Sequence, residues 1–162
     1  MILGIILLVI ISIILILYIL FFKEYSFVMG NFKTLVKVID TRDIILLRLL
    51  PEIKNKKIRD DMSMLINERI HSKNLGNDKL VELDCKINKK LDRIYKELND
   101  SKNPIVKEEL RRIINLEKKL KVIRREYNDA VETYNAKLLK HPKTMVKLIH
   151  MKLLNTYSIN IK

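Results

Sequence analysis

From Met1 to Phe22 the chain carries no charged side chain and no proline, and it consists mostly of isoleucine and leucine. About 20 such residues in a helix span a hydrocarbon core of ~30 Å. No water is available there to satisfy peptide groups, so the run is predicted to be a transmembrane helix. Tyr18, Phe21 and Phe22 suit its interfacial end. The rival reading, a cleaved signal peptide, needs a basic start, a shorter apolar core and a small-x-small cleavage site, and none is present.

Residues 23–32 read as a juxtamembrane connector, with Gly30-Asn31 as a soft point. Apolar residues are then dense: Leu35, Val36, Val38, Ile39, Ile44–Leu47 and Leu49-Leu50, with Asp40, Arg42 and Arg48 between them. That spread of charge argues against a second membrane pass and for a helix buried on a wide face. Pro51 should kink or break it. The pattern resumes at Ile53, Ile58, Met62, Leu65 and Ile66 and runs to about Ser72, with a stop and turn over 73–77. Asp78 can cap a second helix to about Asn99, whose seam is Leu80, Ile87, Leu91, Ile94 and Leu98.

Asn103-Pro104 is a strong start signal for a third helix, about 104–140. Val106, Ile113, Leu120, Tyr127 and Tyr134 recur there every seven residues, with Leu116, Ile123 and Ala130 between them and Val131 and Leu138 widening the face. Lys107, Arg111, Arg112, Lys118, Lys119, Arg125 and Glu132 fall opposite. His141-Pro142 ends the helix. A short basic amphipathic helix over about 143–155 and a loose tail from 158 complete the chain. The fold class is all-α: an N-terminal transmembrane helix (1–22), then an antiparallel bundle (33–157) of three long helices and a short C-terminal one.

Charge adds orientation. The 162 residues hold 32 Lys and Arg against 19 Asp and Glu, a net charge of +13. The basic residues Lys23, Lys33, Lys37 and Arg42 follow the apolar run, so the positive-inside rule puts the N-terminus outside and the bundle in the cytoplasm of a single-pass protein. A single cysteine, Cys85, excludes an intramolecular disulfide and fits a reducing compartment. The basic excess suits an anionic leaflet, an acidic partner or nucleic acid, although a chain rich in Lys, Ile and Asn throughout is also what AT-rich coding produces.

Candidate chemistry is sparse. His71, His141 and His150 have no Cys, Asp or His at metal-ligand spacing on a shared face. Asp60-Asp61 and Glu108-Glu109 each point to two faces of a helix, so neither forms a carboxylate dyad. No phosphate-binding glycine loop or nucleophile elbow occurs. The expectation is a non-enzymatic protein with no cofactor. Lys143, Lys147 and Lys152 are candidate contacts to anionic lipid. Nucleic acid is a weaker partner because no aromatic residues interleave the exposed basic face.

One segment is more distinctive. Arg124-Arg125-Glu-Tyr127-Asn128-Asp-Ala130-Val131-Glu-Thr-Tyr134-Asn135, followed by Pro142, resembles the LemA family, as does Leu49-Leu-Pro-Glu-Ile53 in the first long helix. His141 stands where that family has an aromatic residue before the proline, and the family's Gly-Phe tail is absent. The resemblance implies a bacterial, membrane-anchored antiparallel helical bundle, and it adds architecture rather than activity. From the residues alone, Asn128 and Asn135 lie beside the tyrosines and are placed to hydrogen-bond across the bundle and fix its register.

Overall fold

A computed structural model of the chain describes residues 2–72, 77–141, 146 and 152–157. Four α-helices account for most of them: α1 (Ile2–Leu49), α2 (Lys56–His71), α3 (Asn77–Asn99) and α4 (Pro104–Leu139). No strand occurs among the described residues. The all-α expectation is met, and α3 and α4 begin and end within a residue or so of the predicted bounds.

Residues 23–32, between the apolar run and the bundle, are helical, and α1 runs through them without a break. Their apolar spacing explains it: Phe21, Val28 and Phe32 stay buried and continue the stripe of Leu35, Ile39, Leu46 and Leu49 at steps of three, four and seven. Gly30 is an ordinary helical position with open space where a Cβ would sit. Pro51 breaks the helical run, one of the two effects expected of it. It occupies a single 3-10 turn (Leu50–Glu52) between two separate helices. Asn55 caps the second of these by accepting from the Ile58 amide at 3.2 Å.

The chain forms two compact units, and α1 and α4 contribute to both. The first unit comprises Met1–Lys33 and Glu126–Thr156. Its α1 portion has exposed apolar side chains from Ile5 to Leu20, with only Ile14 and Leu17 half-buried. This is the one helix among the described residues that is long and apolar enough to cross a membrane. Beyond it, α1 and α4 pack side by side and antiparallel: Phe21 meets the His141 ring edge-on at 5.1 Å, Tyr25 meets Tyr134 at 6.0 Å, and Phe32 meets Tyr127 at 5.6 Å. Such ring pairs add to the gain from burying apolar area. Lys137 and Glu24 pair on the rim.

The second unit comprises Thr34–Arg125 and Tyr157–Lys162. It gathers the end of α1, all of α2 and α3, and the first half of α4 around Leu46, Met62, Ile66, Leu83, Ile87 and Ile113. Ion pairs show that α2 and α3 run antiparallel, because Lys79 meets Glu68 while Lys90 meets Asp61. Asn103 caps α4 as expected, accepting from the Ile105 amide at 3.0 Å, with Pro104 in the first position where no amide hydrogen is needed.

The short helix expected over 143–155 falls largely outside the described residues. Its described end, residues 152–157, is not helical. The loose tail expected over 158–162 also lies outside them.

Candidate functional site

The most unusual chemistry lies inside the second unit, where a stripe position on each of the four helices is charged. Arg42 on α1 is fully buried. A guanidinium carries five N–H donors in a fixed fork and cannot be neutralised, so burial demands an acceptor for each. Five bonds are present. Nε donates to Asp43 Oδ1 at 2.9 Å, and Nη2 donates to Asp43 Oδ1 and to Asp84 Oδ1, each at 2.7 Å. Nη1 donates to Asn88 Oδ1 at 2.8 Å and to Glu117 Oε1 at 3.0 Å.

The acceptors are shared with two further arginines. Arg69 on α2 donates through Nε to Asp43 Oδ2 and through Nη2 to Asp40 Oδ1, both at 2.5 Å. Arg124 on α4 donates to Asp84 Oδ2 at 3.0 Å and reaches Glu117 Oε2 at 3.5 Å. Asn88 closes the ring by donating to Asp84 Oδ2 at 3.3 Å. Three guanidiniums thus face four carboxylates, and Arg42, Asp43 and Asp84 have no measurable exposure.

Burial opposes ionisation of Asp84, but the Arg42 and Arg124 charges outweigh it and hold the carboxyl below the usual carboxylate range. Burial likewise works against the Arg42 charge, and Asp84, Asp43 and Glu117 more than restore it. Tyr95 lies at the edge of this cluster. Burial, and then the Glu117 charge, push its phenol above the ordinary tyrosine value, so it stays neutral. Arg42 and Asp84 are thus each held in the charged form by their partners.

A second polar constellation belongs to the first unit and uses the tyrosine–asparagine segment of α4. Asn135 makes two bonds to the backbone of one residue of the described C-terminal segment, Leu154. Its Nδ2 donates to the Leu154 carbonyl at 2.8 Å and its Oδ1 accepts from the Leu154 amide at 3.0 Å. Tyr134 donates to the Lys152 carbonyl at 3.3 Å and Tyr127 to the Asn155 carbonyl at 3.2 Å. The expected bond from Asn135 to a neighbouring helix is instead a clip on non-helical main chain. Burial, with a smaller push from Tyr25, raises the Tyr134 phenol to about 12, so it remains a donor.

The residues singled out by sequence divide accordingly. Tyr127, Ala130, Val131 and Tyr134 are buried, and Asn128 and Asn135 are half-buried. Arg124 is buried in the ionic cluster while its neighbour Arg125 is exposed. Lys152 is exposed on the non-helical segment, whereas Pro142, Lys143 and Lys147 lie outside the described residues. His71 is exposed and its Nδ1 meets the Asn67 carbonyl at 2.7 Å; His141 packs on Phe21; His150 lies outside the described residues. Cys85 is half-buried. No group of His, Cys, Asp or Glu among the described residues is arranged to hold a metal ion.

Sequence reasoning passed over Arg42, Asp43, Arg69, Asp84 and Glu117. The signal was available, because Asp84 fills the gap between Leu80 and Ile87 in the α3 seam, and Glu117 and Arg124 continue the series Leu110, Val131, Leu138. Leu116, expected in the α4 seam, is only half-buried because Glu117 beside it turns inward to Arg42.

Removing Arg42 strands buried carboxylates, a class of change that costs about 3–5 kcal/mol. Arg42→Ala is expected to lower unfolding stability in urea by that order, and Arg42→Lys to recover only part of it, since an ammonium cannot occupy five sites. Asp84 has its folded-state pKa below the unfolded value. Its ionised form therefore contributes stability above about pH 4 that is lost as pH falls through the folded value. Asp84→Asn is expected to be less stable at pH 7 and to lose less on acidification. Equal acid sensitivity in both proteins would contradict this assignment.

Compared with protein-family models, curated proteins and solved structures, the chain matches none of them.

Proposed function

We propose that this is a non-enzymatic, single-pass membrane protein that presents a rigid helical bundle as an interaction or scaffold module, of the LemA-like kind its tyrosine–asparagine segment suggests. One observation carries the reading: the apolar span and the buried bundle stripe are parts of a single unbroken helix, α1. The helix that carries the apolar span thus also supplies core residues to the bundle. The ion pairs of the buried cluster add support, because they tie the four helices to one another. The basic residues that follow the apolar span support a cytoplasmic bundle with the N-terminus on the other side of the cell membrane.

In-cell crosslinking of the full-length protein, followed by mass spectrometry, tests this. A recurrent membrane protein is expected in the captured set and should be lost when residues 1–22 are removed. Capture of nothing specific would contradict the scaffold reading.

A second reading, contact with anionic lipid, has an observation of its own. The Phe21–His141 ring contact sets the end of α4 level with the end of the apolar span. Exposed Leu139 and Lys140 are therefore carried to the height of the lipid headgroups, and the chain leads from there to Lys143 and Lys147. Juxtamembrane basic residues of this kind contribute about 1 kcal/mol each on an anionic surface. Replacing Lys143, Lys147 and Lys152 by Glu in residues 23–162 is expected to abolish binding to anionic liposomes on this reading. Undiminished binding would contradict it.

A further inference from the structure

Along the outward face of α4, Lys107, Arg111, Ile114, Lys118, Lys121 and Arg125 follow one another at steps of four, three, four, three and four. At ~100° per residue these six stay within about 40° of one straight line, over about 27 Å of helix. All six are exposed, and all belong to the second unit. None of the five cations has an ion-pair partner among the described residues. Lys79, Lys86, Lys90 and Arg112, which also reach solvent, each meet a carboxylate. The acids of the same stretch are withdrawn from the line. Glu108 and Glu109 bond to Arg112 on another side of the helix, and Glu117 is turned in to Arg42.

The line is therefore an uncompensated row of positive charge. Lys107 with Arg111, Lys118 with Lys121, and Lys121 with Arg125 are like-charge neighbours three or four apart, an arrangement that weakens a helix on its own. Opposite charge brought from outside relieves that repulsion. Ile114 puts an apolar contact at the middle of the row, and exposed Val122 flanks it beside Lys118. The mean step of 3.5 residues is the repeat along which two helices stay side by side, with complementary charges setting partner choice. Carboxylates spaced four and three on a second helix rise by ~6 and ~4.5 Å, matching the cations over the whole length. A single nucleic-acid strand would find no stacking ring on this line. A duplex groove holds a helix between two phosphate strands and calls for cations on both flanks.

We propose that this row is a docking surface for an acidic amphipathic helix of a partner protein, its carboxylates spaced four and three and an apolar residue against Ile114. The surface supplies the partner class for the scaffold reading and rests on it.

The probe is a labelled helical peptide of about three heptads, with Glu at steps of four and three and Leu at the centre of that line. A control peptide of the same composition spreads its Glu residues round the helix. Full-length protein in mild detergent is expected to bind the first about tenfold tighter or more, as four or five exposed charge pairs allow. Lys118→Glu with Lys121→Glu is expected to remove the preference. Lys119→Glu with Lys96→Glu makes the same change in net charge at exposed positions off the line and is expected to keep it. Should the first pair lose helix content by circular dichroism, Ile114→Gln decides, since it alters no charge. It is expected to weaken the first peptide several-fold and to leave the control unaffected.

Equal affinity for the two peptides, or equal loss with both charge reversals, overturns the proposal. So does a single-stranded oligonucleotide or anionic liposome bound through Lys118 and Lys121 in preference to the peptide. In-cell crosslinking separates this surface from the scaffold reading. A membrane protein captured equally by the wild type and by Lys118→Glu with Lys121→Glu overturns the surface alone, whereas capture of nothing specific by the wild type overturns both.

Discussion

Arg42 cannot shed its charge and has no water around it, so its side chain tolerates one arrangement of the helices that surround it. Each of its N–H groups must find an acceptor, and those acceptors come from Asp43 on its own helix, Asp84 and Asn88 on α3, and Glu117 on α4. Arg69 then ties α2 to the same carboxylates. A slip of one helix by a turn would leave a guanidinium or carboxylate buried without a partner, at a cost of several kcal/mol. Apolar packing at Leu46, Ile87 and Ile113 supplies the driving force for collapse but accepts many registers. The ionic cluster selects one.

Read in this light, much of the fold was legible in the sequence and its centre was not. The apolar run, the Asn103-Pro104 start and the seams of α3 and α4 follow from spacing and capping, which are local properties. The cluster is not local. On α1 the stripe Leu35, Ile39, Arg42, Leu46, Leu49 alternates steps of four and three. On α2 it is Ile58, Met62, Leu65, Arg69, and on α3 it is Leu80, Asp84, Ile87, Leu91. Each series carries a charge at a position that the pattern assigns to the core. Taken singly, each looks like a scattered surface charge, and only their coincidence at one level of the bundle converts them into partners. The same limit applies to Asn135. Its place beside Tyr134 was evident, but the Leu154 backbone it holds is 19 residues away in sequence.

The two constellations serve different ends. The ionic cluster makes the second unit specific and stiff, which suits a module whose work is to hold a surface in place. The clip in the first unit holds main chain through side-chain donors, and burial keeps the Tyr134 phenol protonated.

The most direct test of this account is a double-mutant cycle on Arg42 and Asp84, measured by urea unfolding of the full chain in detergent. If the cluster is the constraint described, Arg42→Ala and Asp84→Ala are each strongly destabilising. The double variant should then fall well short of their sum, because the second removal no longer strands a charge. A coupling of more than about 1.5 kcal/mol is the expected result for groups in one buried network. Additivity within about 0.5 kcal/mol would show that the two residues act independently, and the cluster would then not be what fixes the helices.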